Sequence, residues 1–396
     1  MPIPSPFHTR TAPLCESHEW RNWSGYLSAS LYEPTHEWEY FAIRNSAALI
    51  DVSPLYKYEF RGPDALRALN RIMTRDIARC AIGQVMYTPW CDDRGAVIDD
   101  GTVARLSPDH FRVTAAEPNL VWFQDCSHGM EVEIRDVSDE LAALAIQGPN
   151  ARFILSQVVR EVDFHSLKYY RLAQGKIADI PVTVSRTGYT GDLGYEIWVL
   201  SQFAGEIWDA VYDAGMPYGV QAAGILALDI ARIEAGLIML QVDYISARKA
   251  LIPAQKSLPF ELGLDWAVDL GKPNFIGRRA LEIEKQTGSK WKFVGLEVQW
   301  ESLEKIFEQY GLAPTLAGRA SRAAVPVYQS GRQVGQMTSY TFSPILKKYI
   351  AIGTLEVPVA VSDHSVQMEL TVEYVRHRAD ALIVKPPFYN PARKRA

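Results

Sequence analysis

The chain has 396 residues, of which 48% are hydrophobic and 22% are charged, as in ordinary globular proteins. A single hydrophobic core stops growing at about 250 to 300 residues, so we expect two or three domains. The net charge of −5 includes no long basic block, which argues against nucleic-acid binding.

Several kinds of segment are missing from the sequence. No run reaches about 18 consecutive apolar residues, and the first twenty residues combine no basic cluster with an apolar stretch, so no membrane association is expected. The four cysteines lie far apart and show no zinc-ligand spacing, so the sequence suggests neither a zinc site nor a disulfide framework. No phosphate-binding glycine loop occurs, so we expect no nucleotide or flavin cofactor. We expect a cytoplasmic protein with reduced thiols.

The first half of the chain begins with an irregular, proline-rich segment. A helix capped by Thr35 should follow and lead into a strand near Asp51. Alternating apolar residues predict a strand over Tyr56–Phe60, and Asp64 begins a second helix. Short strands then dominate 83–137, which indicates an inserted α+β unit.

The second half begins with a helix after Asn150. Apolar periodicity predicts another helix that ends at Gly215 and a further one over 221–235. The polar stretch 282–290 is interpreted as a link to a C-terminal domain, whose Val- and Leu-rich strands predict a small β-barrel.

The most informative segment is Ser185–Val199, SRTGYTGDLGYEIWV. Gly188, Gly191 and Gly194 recur at intervals of three, and glycine permits positive φ and the close approach of a flat ligand. The segment ends in an alternating strand that carries Glu196. A fixed carboxylate can accept paired N–H bonds from a planar heterocycle, although a solvent-facing glutamate beside a hairpin turn is the alternative.

A second acidic feature is the pair Asp99-Asp100, which follows a turn and the strand-like Ala96-Val97-Ile98. Adjacent strand residues point to opposite faces, so only one of the two carboxylates can enter a given pocket. A surface position for the pair is the alternative.

Six stretches resemble, in order, the folate-dependent aminomethyltransferase family, whose type member is the T protein of the glycine cleavage system. Besides the glycine segment they are DVSPLYKYEFRGPDALRALN from Asp51, GQVMYTPWCDDRGAVIDDG from Gly83, IQGPNA from Ile146, ARIEAG from Ala231 with the later LGLDWAVDLGKPNFIGRRAL, and GQMTSYTFSPILKKYIAIG from Gly335.

This resemblance implies an α+β fold of three domains around a central folate cavity. A discontinuous folate-binding domain would comprise 1–55 and 142–281. A ferredoxin-like α+β domain would be inserted at 56–141, and a β-barrel domain would span 282–396, with 301–322 as an insertion relative to the family.

The resemblance also implies roles for individual residues. It selects Asp99 as the catalytic aspartate and Glu196 as the partner of the pterin ring of tetrahydrofolate, the implied cofactor. Tyr87 and Trp266 occupy family positions near the folate, with core packing as the alternative, and Tyr189 is a weaker candidate. Arg232 would contact the folate carboxylate or form a structural ion pair with Glu234 or Asp229.

Other positions depart from the family. Pro54 replaces a histidine, Leu228 replaces an arginine that helps to bind folate, and Glu117 ends an altered VNAAN stretch. These changes favour a small N-, S- or O-linked methyl or aminomethyl donor, as in the dimethylsulfoniopropionate demethylase branch, over a lipoylated carrier protein. The alternatives are a true glycine-cleavage aminomethyltransferase and a non-catalytic folate-binding iron-sulfur assembly factor, against which the displaced Cys80 argues.

Overall fold

The computed structural model of the protein describes residues 1–396. None of its helices is both long enough and apolar enough to traverse a lipid bilayer. In chain order the α-helices are α1 (His8–Thr11), α2 (Glu37–Asn45), α3 (Ala65–Ile72), α4 (Leu120–Cys126), α5 (Ala151–Val158), α6 (Ala204–Gly215), α7 (Ile225–Glu234), α8 (Arg278–Thr287) and α9 (Trp300–Glu308).

The strands form three sheets and one closed barrel. In chain order they are β1 (Ile3–Pro4), β2 (Trp20–Trp23), β3 (Tyr26–Ala29), β4 (Ala47–Asp51), β5 (Tyr56–Arg61), β6 (Gln84–Cys91), β7 (Val97–Ser107), β8 (His110–Ala115), β9 (Glu133–Asp136), β10 (Leu141–Gln147), β11 (Val159–Arg160), β12 (Leu172–Ile177), β13 (Ile180–Ser185), β14 (Gly194–Leu200), β15 (Val220–Ala222), β16 (Trp291–Val298), β17 (Val325–Gln329), β18 (Arg332–Ser343), β19 (Lys348–Glu356), β20 (Ser365–Val372) and β21 (Val375–Val384).

The largest sheet has seven strands in the order β11-β12-β13-β14-β10-β4-β15, and only β15 runs parallel to its neighbour. Both faces are covered. Leu144 and Ile146 of β10 join a core that includes residues of α5 and α6, whereas Ala143 and Ala145 pack on the other face with residues of α2 and α7. Burial on both faces explains why β10 is an almost continuous apolar run.

The second sheet is antiparallel, with the order β6-β7-β8-β5-β9. Its inner face packs on α3 and α4, whose buried residues include Leu69 and Phe123. The chain passes from the seven-stranded sheet to this sheet between Asp51 and Tyr56, and returns between Asp136 and Leu141.

The third unit is the barrel β16-β19-β18-β17-β20-β21. Leu303, Ile306 and Phe307 of α9 belong to its core, so the first part of the predicted insertion 301–322 is an integral helix of the barrel unit. The α+β fold with a C-terminal barrel agrees with the sequence prediction.

Several local predictions were wrong. The opening segment contains a short sheet, β1-β3-β2, where no regular structure was predicted. His36 stands at the N-cap of α2 in place of Thr35, without a side-chain cap. The helix expected over 221–235 begins only at Ile225, because Val220–Ala222 pairs with β4. The predicted link 282–290 is helical as far as Thr287, since α8 buries Leu281.

Candidate active site

A central cavity of about 1480 Å³ is lined by the seven-stranded unit, the five-stranded unit and the barrel unit. Pockets for small ligands and cofactors usually measure about 300 to 1,000 Å³, so this cavity has room for a large heterocyclic molecule together with a second, smaller one. Glu196, Tyr87, Tyr189 and Trp266 all line it, as the sequence predicts.

Glu196 reaches the cavity through the alternation of β14. Its neighbours Tyr195 and Ile197 point into the core beside α5 and α6, so Glu196 points to the opposite side. The Thr187 hydroxyl donates to Oε2 at 2.5 Å, and the Ser185 hydroxyl approaches the same atom at 3.5 Å. No protein donor contacts Oε1. Burial raises the pKa of Glu196, and the two hydroxyls oppose that shift.

The glycine loop before β14 serves a purpose that the sequence did not reveal. A Cβ on Gly188 or Gly194 would lie within 2.1 to 2.2 Å of the Gln147 amide oxygen, so both glycines leave room for that side chain. The Gln147 amide is held in turn by the Thr190 hydroxyl at 2.7 Å. Only Gly191 has positive φ, at +73°. The loop is therefore built around a buried amide that also borders the cavity.

The prediction of Asp99 as the cavity carboxylate was wrong. Asp99 is 0% exposed and points into the five-stranded unit. There it accepts hydrogen bonds from the backbone of Asp100 and Glu117, at 2.8 and 3.1 Å, and from the Asn119 amide at 2.9 Å. Burial raises its pKa well above the ordinary value. Asp99 is thus a structural residue of the domain interior.

Asp100 is the member of the pair that lines the cavity. The Tyr87 hydroxyl donates to Oδ2 at 2.8 Å, and the Tyr244 hydroxyl donates to Oδ1. Burial raises the pKa of Asp100, whereas the two phenol donors lower it. The result is a carboxylate fixed by two rigid side chains, with its orientation set before any ligand binds.

Aromatic rings form the walls around Asp100 and Glu196. Tyr87 stacks on Trp266 with ring centroids 5.6 Å apart and planes inclined by 25°, and Trp266 remains 57% exposed. The Tyr189 hydroxyl donates to the backbone carbonyl of Ile238, so its ring, and not its hydroxyl, is available. Tyr170, which sequence reasoning missed, also lines the cavity. Tyr170 lies outside the six family-like stretches of the sequence, so the sequence gave no signal for it.

Of the two alternatives for Arg232, the structure shows the ion pair with Asp229. Its guanidinium is 0% exposed and contacts Asp243 at 2.6 Å and Asp229 at 3.4 Å. It also donates to the Ser339 hydroxyl at 2.7 Å, which joins α7 to the barrel strand β18. Arg232 does not line the cavity; it is part of a buried ion-pair network between two domains.

Two other arginines, which sequence reasoning also missed, do line the cavity. One of them is Arg322, whose guanidinium pairs with Asp229 at 2.7 Å. Leu228, the residue before Asp229, contributes an apolar side chain to the cavity wall. Arg21, on β2, also lines the cavity. Burial lowers the pKa of Arg21, and the positive charge of Arg322 lowers it further. Arg322 comes from a loop of the C-terminal region, so only the tertiary fold reveals its position.

Comparison with known proteins agrees with this geometry. Residues 7–272 match the model of the GCVT N-terminal domain, and 309–390 match the glycine cleavage T-protein C-terminal barrel domain. In the solved structure of glycine cleavage system aminomethyltransferase T from Bartonella henselae, the fold is the same: the TM-score is 0.82 at 22% identity, over 98% of this chain and 99% of the other.

Two curated relatives are each 34% identical to this chain. The aminomethyltransferase of Halothermothrix orenii aligns over 382 residues, which cover 95% of this chain and 96% of the relative. The trimethylamine-oxide aldolase of Ruegeria pomeroyi aligns over 372 residues, which cover 90% of this chain but 43% of the relative. The chain belongs to the aminomethyltransferase family of the glycine cleavage T protein.

Proposed function

We propose that the protein binds tetrahydrofolate in the central cavity and transfers to it a methyl or aminomethyl group from a small N-, S- or O-linked donor. One observation carries this proposal. Asp100 and Glu196 belong to different domains, yet both line one cavity with aromatic walls. Membership of the aminomethyltransferase family supports a transferase.

Glu196 is the proposed anchor of the pterin ring. Its Oε2 is engaged by Thr187 and Ser185, which leaves Oε1 and the outer edge of the carboxylate for the 2-amino group and a ring N–H. Hydrogen bonds to a charged acceptor are about twice as strong as those between neutral groups, so this contact fixes the ring orientation. The residues present therefore fit a planar pteridine.

Tetrahydrofolate supplies the nitrogen that accepts the one-carbon unit. Asp100 places a negative charge in the same cavity, where it stabilises the positive charge that develops on nitrogen or sulfur as the one-carbon unit moves. In its ionised form it can also accept a proton from the reacting nitrogen. Tyr87 and Tyr244 keep the carboxylate in one orientation, so no reorganisation is needed during transfer.

A small donor is favoured by the cavity wall at Leu228. This side chain is apolar where the family usually has a cation, so the wall differs from that expected for the usual substrates. The similarity to a protein named for trimethylamine oxide, a methylated amine compound, supports an N-linked methyl donor. The four free cysteines are all buried, which suits the reducing cytoplasm proposed as its location.

The second candidate is a glycine-cleavage aminomethyltransferase acting on a lipoylated carrier protein. The relatives that align over nearly their full length carry the name aminomethyltransferase, which supports this alternative. Release of ammonia from an aminomethyl-loaded carrier in the presence of tetrahydrofolate distinguishes it from transfer out of a free small molecule.

The test is a product assay. The enzyme is incubated with tetrahydrofolate and, separately, with methylated amines, sulfonium compounds, methoxy-aromatics or the loaded carrier, and folates are separated by mass. We expect a folate product from at least one small donor, namely 5-methyl-tetrahydrofolate from a methyl donor, because 5,10-methylene-tetrahydrofolate can form without an oxidant only from an aminomethyl donor. Asp100→Asn should form this product at least about a hundredfold more slowly. Formation from the carrier alone selects the second candidate. No folate product from any donor contradicts both.

A further inference from the structure

Arg21 has an unusual environment among the arginines near the cavity. It lines the cavity and is partly buried, yet it forms no salt bridge. Its side chain makes one hydrogen bond, from Nε to the Ser30 hydroxyl at 3.1 Å. A guanidinium has five N–H donors, and a partly desolvated cation is costly unless an anion accompanies it. Four of the five donors remain free for a ligand.

The neighbouring cations are each matched to a carboxylate. Arg319 forms a bidentate pair with Glu19, at 2.9 and 2.7 Å, and Arg232 pairs with Asp243. Arg322 donates through Nε and a terminal nitrogen to Oδ2 of Asp229, at 2.8 and 2.7 Å. Each of these three arginines is thus neutralised by a carboxylate, whereas Arg21 has no carboxylate partner.

Arg322 lies close enough to Arg21 for its charge to lower the pKa of Arg21. The Arg322 side chain is 34% exposed and lines the cavity, and its second terminal nitrogen has no protein acceptor. The two guanidiniums lie at one side of the cavity and have one carboxylate, Asp229, between them. The net positive charge that remains there favours the binding of an anion. The planar fork of arginine matches a carboxylate in particular.

We propose that Arg21 and Arg322 together form a carboxylate-binding site at this side of the cavity. This rests on the proposed function, because it names the chemical class of ligand that the cavity selects. The carboxylate belongs either to the donor, which would then be an N-methylated amino acid, or to the glutamate tail of tetrahydrofolate. Trp23 and Leu228 supply the apolar wall beside it.

Calorimetric titration with matched ligand pairs tests the site and separates the two sources. Tetrahydrofolate is compared with its glutamate dimethyl ester, glycine betaine with choline, and dimethylglycine with dimethylaminoethanol. Each pair differs in the carboxylate. The proteins are wild type, Arg21→Gln, Arg322→Gln and, as the matched control, Arg319→Gln, which removes a nearby charge outside the cavity. Thermal melting checks that each variant is folded.

We expect Arg21→Gln and Arg322→Gln to weaken at least one carboxylate ligand about ten- to a hundredfold, as loss of a charge-assisted hydrogen bond does, and to leave its uncharged partner unchanged. The affected pair identifies the source. Arg21→Lys should recover part of the affinity. Equal losses for both members of a pair, no loss in either variant, or an equal loss in Arg319→Gln overturns the site.

The same titrations separate this inference from the proposed function. If wild type binds a carboxylate-bearing donor through Arg21 but does not bind tetrahydrofolate, the carboxylate site stands and the proposed function fails. If tetrahydrofolate binds equally well to wild type and to both variants, and no carboxylate-bearing donor binds, the proposed function stands and the carboxylate site fails.

Discussion

Asp99 and Asp100 are sequence neighbours on β7 whose carboxylates lie in different compartments. Asp99 is enclosed among backbone and amide donors of the five-stranded unit, and Asp100 faces the central cavity between two tyrosine hydroxyls. The alternation of a β-strand produces this separation. Because the two carboxylates lie on opposite sides of one strand, the same substitution at Asp99 serves as a control for that at Asp100.

The two isosteric substitutions should have different effects. Asp100→Asn should lower the rate of one-carbon transfer about 10²- to 10⁴-fold with little change in stability, because it removes the charge in the cavity. Asp99→Asn should lower the free energy of unfolding by about 1 to 3 kcal/mol, because its amide NH₂ would face N–H donors. Urea denaturation and turnover measure the two effects. Unchanged turnover in Asp100→Asn contradicts the assignment.

The pH dependence should respond to the two phenols. Their hydrogen bonds favour the ionised form of Asp100 and so lower its pKa. Removing either hydroxyl in Tyr87→Phe or Tyr244→Phe raises that pKa, and a base of higher pKa becomes protonated at higher pH. The acid limb of the kcat/KM profile should therefore move to higher pH. Tyr212→Phe, on α6 away from the cavity, is the control. A shift to lower pH is the opposite result.

An added side chain in the glycine loop should destabilise the fold by colliding with Gln147, and should not act by blocking a ligand. In Gly188→Ala the new methyl group would displace Gln147, and overpacking of this kind costs about 1 to 3 kcal/mol. Gly271→Ala, whose Cβ would be 3.3 Å from the nearest atom, is the control. Adding Gln147→Ala should recover part of the loss in thermal denaturation. If Gly188→Ala has normal stability but no longer binds folate, the contrary interpretation holds, in which the glycine permits the close approach of a flat ligand.

Arg232→Gln should reduce the free energy of unfolding by about 3 to 5 kcal/mol, because the buried Asp243 loses its cation and Asp229 keeps only Arg322. Arg332→Gln breaks a pair in which the arginine is 60% exposed, and should cost about 0 to 1 kcal/mol. Denaturant titration compares them. If Arg232→Gln is as stable as wild type but loses folate affinity, then Arg232 contacts the ligand.

The sequence was most informative where local periodicity decides the outcome. The position of Glu196 follows from the alternation of β14, whose apolar neighbours identify the core face. The side of the sheet to which Asp99 points could not be predicted from alternation. β7 is paired to β6 with a register shift between Trp90 and Cys91, and such an irregularity reverses the faces without a sequence signal.

Long-range charge pairing was the other feature that the sequence could not provide. Arg232 and Arg322 flank the same carboxylate, Asp229, yet one is a helix neighbour and the other comes from the C-terminal region. Which arginine borders the cavity depends on how the barrel unit packs on α7. A residue's type and spacing establish what it can bind, and only the tertiary contacts establish whether that capacity is already used.

The most direct measurement is the calorimetric titration of tetrahydrofolate into wild type, Glu196→Gln and a surface control, Glu206→Gln. We expect one site in wild type, unchanged affinity in Glu206→Gln, and a loss of about ten- to a hundredfold in Glu196→Gln, because its charged acceptor is removed. Absence of binding by wild type, or the same affinity in Glu196→Gln as in wild type, would contradict the proposed pterin site.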